Sequence, residues 1–415
     1  MSQLTITHAK LLDPSQNSNQ LADVIIDAGK ISQILDAGKA ADTTPSINAE
    51  SALLLPGIID LSAHVHNVAS ETAAAAKGGI SLLCTQPKNK PITDTPADVS
   101  LIQQASDKAG MSCLLPMGAL TQGLEGDQLA NMYSLKQAGC IALSNARAPI
   151  KNALVLRRIM EYAATHDMLI MLTAEDFDLS ANGKMHEGPT ANRLGLAGIS
   201  EVAETASLAQ QLLLVELTGC RVHFSQISCG RSVEMIRTAQ TQGLAVTADV
   251  AIANLMFTDI DVNGFNSTFY VQPPLRSEGD RQALLAGVND GTLAICSNHQ
   301  AQDIAAKKAP FAAAEPGMSL LDSWLPMMLT LVKKGELELK ALVNASSILP
   351  AKILGLTTGI QIGQRANLVL VEAETDVCFS ADDLASAGKN SPILGANLVG
   401  KVRLTLSNGR EVFRA

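Results

Sequence analysis

Aromatic residues are scarce in this chain: tryptophan, tyrosine and phenylalanine together make up 3% of its 415 residues. Surfaces that stack nucleic-acid bases need such side chains, so the scarcity argues against a single-strand binder. A long block of basic residues is also missing, and 31 lysines and arginines against 40 aspartates and glutamates give a net charge of −9. This acidic balance makes nucleic acid and anionic membranes poor partners.

Paired cysteines and long apolar runs are absent as well. The seven cysteines, at positions 84, 113, 140, 220, 229, 296 and 378, stand singly in mostly apolar segments, a pattern typical of reduced cysteines in a cytoplasmic protein. No apolar run approaches the roughly 20 residues that span a bilayer. The first residues, Met1 to Thr7, lack the basic region and apolar core of a signal peptide. We therefore expect a cytoplasmic protein without membrane contact.

The two ends of the chain share one pattern and the middle has another. Short alternating segments near residues 4, 23, 30, 366 and 400, with an Asn408–Gly409 hairpin signal, predict small antiparallel strands. Between them, short apolar strands alternate with longer amphipathic stretches such as Leu154–Ala164 and Ser200–Thr218. Repeated βα units predict an α/β fold, a (β/α)8 TIM barrel. We predict a barrel over residues 56–356 and a composite β-sandwich domain from residues 1–55 and 357–415.

The first predicted barrel strand leads into Ser62, His64 and His66. Parallel barrels place their chemistry at the carboxyl ends of the strands, so these polar side chains mark the candidate site. Two histidines that are two residues apart share one face of a strand and could together bind a metal ion. The alternative is a pair of ordinary polar histidines at the rim of a pocket.

Several motifs identify the family. The chain resembles dihydroorotases of the amidohydrolase superfamily along almost its whole length. The resemblance rests on these segments: Pro56–Leu61, Ala138–Ala142, Ala174–Asp176, Met185–Gly188, Asn192–Gly195, Pro273–Arg276 and Pro350–Leu356. It implies a barrel with a composite β-sandwich, and active members of the family hydrolyse and close a cyclic amide with zinc at the barrel mouth.

The resemblance also assigns functional positions, and most of them carry unexpected residues. Those positions are Ser62, His64, His66, Lys88, Asn145, Thr173, Gln226, Gln272, Asn298 and His299. The family has histidine at the positions of Ser62, Thr173 and Gln226, an acidic ligand near Asn145, and an aspartate that is both ligand and general base at Asn298. His66 stands at the place of a substrate-gripping arginine, Lys88 replaces a substrate-binding asparagine, Gln272 replaces the asparagine that precedes Pro273, and His299 matches a substrate-side histidine. Among the ligand positions, only His64 keeps a suitable side chain.

These replacements predict loss of the zinc mechanism. A hydrolytic zinc site needs about three protein ligands to lower the pKa of its water to about 7, and neutral amides and hydroxyls bind such an ion poorly. Asn298 cannot accept a proton as an aspartate does. We expect no catalytic residues, no bound metal and no cofactor.

The resemblance implies a different role for such a chain. Some bacteria carry a degenerate dihydroorotase-like protein that is an obligate partner of aspartate carbamoyltransferase, in complexes with six chains of each kind. We therefore expect a non-catalytic subunit that assembles this enzyme of pyrimidine biosynthesis and that also associates with itself. Two alternatives stay open: a retuned zinc-poor or metal-free cyclic-amide hydrolase of the dihydroorotase, hydantoinase or allantoinase type, and a small-molecule sensor that uses the old pocket.

Overall fold

The computed structural model describes residues 3–16, 18–40 and 45–415 and consists of a parallel barrel and a composite β-sheet. The strands are β1 Leu4–Asp13, β2 Ser18–Asp27, β3 Lys30–Asp36, β4 Ser46–Asn48, β5 Leu53–Pro56, β6 Ile58–His64, β7 Ile80–Thr85, β8 Cys113–Ala119, β9 Ala142–Ser144, β10 Ile170–Thr173, β11 Met185–His186, β12 Gly198–Ile199, β13 Val222–Ser225, β14 Val246–Ala251, β15 Leu293–Cys296, β16 His299–Gln300, β17 Leu368–Cys378, β18 Asn397–Ser407 and β19 Arg410–Arg414.

The helices lie mostly between the barrel strands. They are α1 Val68–Lys77, α2 Pro96–Ala109, α3 Met132–Ala138, α4 Ala153–Thr165, α5 Phe177–Ser180, α6 Pro189–Leu194, α7 Val202–Thr218, α8 Gly230–Thr241, α9 Ile252–Met256, α10 Glu278–Asn289, α11 Ile304–Lys308, α12 Trp324–Lys333, α13 Leu339–Val343 and α14 Leu349–Leu354. Among the described residues, no helix is both long enough and apolar enough to cross a membrane.

One sheet joins the two ends of the chain, as the sequence predicts. Its strand order is β19-β18-β17-β5-β1-β2-β3, and β5 from the N-terminal part pairs with β17 from the C-terminal part, with Leu54 opposite Leu370. The Asn408–Gly409 turn connects β18 and β19, and both residues have positive φ, as a two-residue hairpin turn requires. β4 and β5, which lie outside the segments that were predicted to be antiparallel, run parallel to β1.

The barrel strands follow one another in chain order from β6 through β7, β8, β9, β10, β13 and β14 to β15, and every pairing between them is parallel. The last strand is split. β15 pairs with β14, and after Ser297 and Asn298 the chain continues as β16, which pairs with β6 and so brings the first and last strands together. The predicted barrel with its composite β domain is confirmed.

The barrel strands are short apolar runs because both of their faces are buried. In β7, Leu82 and Cys84 point into the barrel, where they pack with Met117 and Cys296, whereas Leu83 points outward to the helical layer. Cysteine serves here as a small apolar side chain, as predicted. All seven cysteines are free, but Cys378 is exposed, so the prediction of core cysteines is wrong for that residue.

The split last strand is held by one buried carboxylate. Asp60, in the middle of β6, accepts a hydrogen bond of 2.7 Å from the backbone N–H of Ser297, and the Ser297 hydroxyl also donates to it. The N–H of Ser62 donates at 3.3 Å to the Asp60 oxygen that accepts from the Ser297 N–H. Burial raises the pKa of the Asp60 carboxyl to about 6, although the hydrogen bonds from Ser297 and Ser62 act to lower it. Asp60 therefore links the first and last barrel strands.

Replacement of Asp60 tests this link. Asp60→Ala leaves the Ser297 and Ser62 N–H groups without an acceptor, and we expect a loss of about 3 kcal/mol in the free energy of unfolding, measured by urea denaturation. Asp60→Asn keeps an acceptor oxygen and is expected to lose less. Because the pKa is raised in the folded state, the wild-type free energy of unfolding declines as the pH rises from about 4 through 6, and Asp60→Asn removes that decline. Equal losses in both variants at every pH contradict the assignment.

Candidate functional site

Polar side chains collect at the carboxyl ends of the barrel strands, where the sequence predicts a site. Ser62 and His64 lie at the end of β6, Thr173 ends β10, and Asn145 and Gln226 directly follow β9 and β13. Asn298 and His299 lie at the break in the last strand. Because all these strands are parallel, the residues share one end of the barrel.

A hydrogen-bonded bridge crosses the barrel mouth at Ser62. The Ser62 hydroxyl, which is fully buried, accepts one hydrogen bond from the side-chain amide of Gln86 and another from that of Gln226, each 2.8 Å long. β6, the loop after β7 and the loop after β13 thus meet at one neutral hydroxyl. We call Ser62, Gln86 and Gln226 the mouth bridge.

The backbone of Gln226 is fixed by a hydrogen bond to a carboxylate inside the barrel wall. Its N–H donates a 2.6 Å hydrogen bond to the carboxylate of Asp249, and the other oxygen of Asp249 contacts Nε2 of His223 at 2.9 Å. His223 also contacts the hydroxyl of Thr247 at 2.9 Å, so both ring nitrogens have partners inside the barrel wall. This places His223 in the core and fixes the backbone of Gln226.

His64 and His66 do not form a pair on one strand. β6 ends at His64, which is half-buried, while His66 lies beyond the strand and is exposed. Burial, together with the positive charges of His66, Lys88, His299 and Arg147, lowers the pKa of His64 to about 3, so His64 is neutral at pH 7. Lys88 is exposed. The His-x-His spacing therefore does not produce two ligands that face the same side.

His299 is buried and fully engaged. Its Nδ1 accepts a 3.1 Å hydrogen bond from the N–H of Leu320, so Nε2 carries the proton and donates to the carboxylate of Glu71 at 2.8 Å. The hydroxyl of Ser386 and the N–H of Ala387 donate to the same carboxylate at 2.7 and 3.0 Å. Glu71 thus ties α1 to His299 and to the C-terminal segment, and His299 has no ring nitrogen left for a substrate.

The amide and hydroxyl side chains at the other assigned positions bond to neighbouring loops. Thr173 donates to the carbonyl of Ala146 at 3.0 Å, and the amide of Asn145 donates to the carbonyl of Ala148 at 3.1 Å. Asn298 donates to the carbonyl of Gln272 at 2.9 Å. Gln226 therefore bonds to Ser62 rather than to Asn298.

Three residues at the mouth have strained backbones. Ala146, Gln226 and Asn298 have φ values of 49°, 61° and 47°, in the left-handed region that residues with a Cβ adopt at a cost. Such strain clusters at functional sites, where surrounding structure maintains it. Two of these strained residues, Gln226 and Asn298, are positions that the family resemblance assigns, although other strained residues lie away from the mouth.

The donor groups at the mouth do not fit zinc. Ser62, Thr173, Gln226 and Asn298 offer neutral hydroxyl and amide groups, and the mouth bridge directs amide N–H groups, which cannot coordinate a cation, at the Ser62 oxygen. Within residues 3–16, 18–40 and 45–415, no cluster of three or more histidine, cysteine, aspartate or glutamate side chains could hold a metal ion.

Two residues at the site escaped sequence reasoning, Gln86 and Arg147. Each is the first or second polar side chain after an apolar strand, a signal that could have identified them. Arg147 forms an ion pair with Glu175, and both line a mouth cavity of about 10 Å³ together with Gln226 and Arg276. This volume is about the minimum for one water molecule. The Glu175–Asp176 pair is structural: Glu175 also accepts from Ser180, and Asp176 caps α5.

The Glu71–His299 pair predicts acid sensitivity. Burial raises the pKa of Glu71, but the hydrogen bonds from His299, Ser386 and Ala387 outweigh this and lower it to about 2. The stabilisation is present above about pH 4.5 and is lost as the pH falls towards 2. We expect Glu71→Gln to lose about 2 kcal/mol at pH 7 and to lack this acid-dependent decline, measured by urea unfolding from pH 7 to 3. Ser386→Ala, which keeps the hydrogen bond from His299 to Glu71, is the control and retains the decline; an unchanged pH profile in Glu71→Gln contradicts the assignment.

Comparisons with known proteins agree with this architecture. Residues 51–232 match the family model described as "Dihydro-orotase-like". The chain is 42% identical to the "Dihydroorotase-like protein" of Pseudomonas aeruginosa, with 98% of each chain covered, and 34% identical to the "Dihydroorotase" of Trichlorobacter lovleyi, with 99% of each covered. The L-hydantoinase (dihydropyrimidinase) of Arthrobacter aurescens has the same fold, with a TM-score of 0.87, 23% identity and coverage of 100% of this chain and 96% of that one.

The match to curated relatives extends over both the composite β domain and the barrel. Its length and identity, together with the shared fold, go beyond a local motif match. The chain belongs to the dihydroorotase-like family of amidohydrolases.

Proposed function

We propose that this chain is a non-catalytic member of its family that serves as an assembly subunit for aspartate carbamoyltransferase in de novo pyrimidine biosynthesis. The observation that carries the proposal is the mouth bridge, in which Gln86 and Gln226 both donate to the hydroxyl of Ser62. Two of its residues, Ser62 and Gln226, occupy positions that the resemblance assigns to zinc ligands, and the bridge consists of a neutral hydroxyl and neutral amides.

The barrel framework is intact while the side chains at its mouth are replaced, and this contrast supports an assembly role. The barrel closure at Asp60 and the backbone strain at Gln226 and Asn298 belong to a complete amidohydrolase architecture. The side chains that complete zinc chemistry are replaced by groups that neither bind zinc well nor accept a proton. An assembly subunit needs an intact shape and core, but it does not need a reactive mouth.

The proposed partner is the catalytic chain of aspartate carbamoyltransferase. We propose a complex of six chains of each kind, in which this chain also contacts other copies of itself, in the cytoplasm. Its acidic net charge of −9 is consistent with a protein partner rather than nucleic acid.

The alternative is a retuned cyclic-amide hydrolase with a zinc-poor or metal-free site. The names of its relatives, which include dihydroorotases, and its fold, which matches a hydantoinase, favour this reading. Against it, His64 is neutral at pH 7, and both ring nitrogens of His299 are already bonded, to Glu71 and to the N–H of Leu320. A hydrolase of this kind would need a base and an electrophile that these residues do not provide.

Metal content and turnover separate the two functions. Purified chain is expected to contain well below one zinc per protein and to show no ring opening of dihydroorotate, whereas the dihydroorotase of Trichlorobacter lovleyi, prepared in parallel, serves as the active control. Metal is measured by mass spectrometry after growth with added zinc, and turnover by loss of dihydroorotate. Stoichiometric zinc together with turnover that Ser62→Ala abolishes would establish the hydrolase instead.

Assembly is tested by co-expression with the aspartate carbamoyltransferase of the same organism. We expect the two chains to elute together in size-exclusion chromatography with light scattering, at a mass that fits equal numbers of each, and transcarbamoylase activity to depend on this chain. Ser62→Ala is the matched control: it disrupts the mouth bridge, with an expected loss of about 1–3 kcal/mol of stability, but leaves assembly and activity unchanged. If the two chains elute separately and the transcarbamoylase is fully active without this chain, the proposal is wrong.

A further inference from the structure

The outward face of α7 is apolar along the whole length of the helix. Leu213 and Leu217 expose 66% and 62% of their surface to solvent, and Val202 exposes 47%. Two exposed alanines complete the row, which consists of Val202, Ala206, Ala209, Leu213 and Leu217. Successive steps of four, three, four and four residues keep such a row on one side of a helix. We call these five residues the α7 stripe.

The opposite face of α7 packs on the barrel and is apolar as well. Leu208 and Val215 on that face are buried in the same core as the strand residues Ile170 and Val222. A helix that is apolar all round normally lies inside a protein. Within the described part of the chain no segment covers the α7 stripe, since all five of its residues are exposed. The stripe therefore has the character of a surface that another chain buries.

The α7 stripe also lacks charge. Between residues 202 and 215, α7 has one charged residue, Glu204, and its side chain is buried. A solvated helix face normally carries charged side chains, whereas the centre of a protein interface is depleted of them. The composition of the stripe is thus typical of an interface centre.

The spacing of the α7 stripe fits a second copy of the same helix. Positions 202 and 206 lie as far from the point between residues 209 and 210 as positions 217 and 213 do. In an antiparallel pair centred on that point, Val202 faces Leu217 of the second copy, and the small Ala206 faces its large Leu213. Facing large and small side chains interdigitate well. A two-fold interface requires such self-complementarity, because each patch meets its own copy.

The neighbours of α7 extend the apolar surface towards the size of a dimer interface. A helix of 17 residues is about 25 Å long, and one face of it falls short of the roughly 800 Å² that each partner of a stable interface buries. α4 and α5 both pack on α7, and they expose Leu154 and Leu179 by 50% and 48%. An exposed pair of Lys151 and Asp178 places the starts of α4 and α5 side by side. These leucines and the stripe therefore lie on one side of the barrel.

We propose that the α7 stripe joins two copies of this chain in a two-fold dimer, with the two α7 helices antiparallel and closest near residues 209 and 210. Ala206 of each copy receives Leu213 of the other, and Val202 packs against Leu217. This inference deepens the proposed self-association, on which it rests, by naming the surface that is used.

A charge placed in the α7 stripe tests the dimer. We expect the wild-type chain alone to be a dimer in sedimentation velocity, and Leu213→Glu to raise the dimer dissociation constant at least about 100-fold, because it buries an unpaired carboxylate in the contact. Leu101→Glu is the matched control: Leu101 is 54% exposed on α2, which follows β7 rather than β10, and its variant is expected to stay dimeric. If circular dichroism shows that Leu213→Glu is misfolded, Leu217→Glu replaces it. A monomeric wild type, or unchanged dimerisation of the stripe variant, overturns the proposal.

Cysteine cross-linking tests the orientation of the two helices. Cys378→Ser, which removes the exposed cysteine, is the background. In it, Ala209→Cys is expected to form a disulfide between two copies on a non-reducing gel, because residue 209 lies near the two-fold axis. Val202→Cys is not, since its two copies lie about 22 Å apart in an antiparallel pair. Ser100→Cys, exposed on α2, measures random cross-linking. Cross-linking of Ala209→Cys no greater than that of Ser100→Cys, or cross-linking of Val202→Cys instead, contradicts the arrangement.

Co-expression separates this inference from the proposed function. A chain that does not elute with aspartate carbamoyltransferase, but forms a dimer that Leu213→Glu dissociates, contradicts the assembly role and supports the dimer. A chain that is monomeric alone and needs Leu213 to elute with the transcarbamoylase assigns the α7 stripe to that partner and overturns the dimer.

Discussion

Closure of the barrel is the constraint on which the rest of the structure depends. The last strand must pair with β14 on one side and with β6 on the other, and it does so by breaking at Ser297 and Asn298. Asp60 holds that break through the N–H and hydroxyl of Ser297. Because the break fixes the neighbouring residues, it also determines that Asn298 faces Gln272 and that His299 reaches Glu71.

The same architecture supports two kinds of polar network with different roles. Carboxylates are used below and around the mouth, where Asp60, Asp249 and Glu71 each organise several backbone and side-chain donors. At the mouth itself the bridge consists of neutral groups. Buried carboxylates in this chain thus stabilise the scaffold, while the Ser62 hydroxyl at the mouth accepts hydrogen bonds from two neutral amides. On the proposed function, fold and chemistry diverge here, because function depends on a few side chains placed on a shared framework.

Much of this could be predicted from sequence. The barrel strands are apolar on both faces, and the alternating segments at the two ends are distinct from them, so the element types and the union of the ends follow from local pattern. The direction of β4 and β5 relative to β1 could not be predicted. It depends on the path that the chain takes between the strands and not on the local residue pattern.

The contacts within the site were harder to predict than its location. The sequence predicts that Ser62, Gln226 and Asn298 lie at the mouth, but it does not predict their hydrogen-bond partners. A two-residue break in a strand or a left-handed backbone changes the direction of a side chain. Gln86 and Arg147 were not predicted, because the family resemblance assigns positions close to them but not these two residues. His64 and His66 illustrate the same limit: their spacing suggests a pair only if the strand continues, and β6 ends at His64.

The pairing of β5 with β17 has a consequence for the order in which the chain folds during synthesis. β1, β2, β3 and β5 leave the ribosome first, yet the edge of β5 acquires its neighbour only when residues 368–378 have been made. The barrel, which lies wholly between them, is complete by then, and domains generally fold as units during translation. The edge of β5 therefore stays unpaired while about 300 residues are added. During this interval the exposed edge can pair with a wrong strand or bind a chaperone.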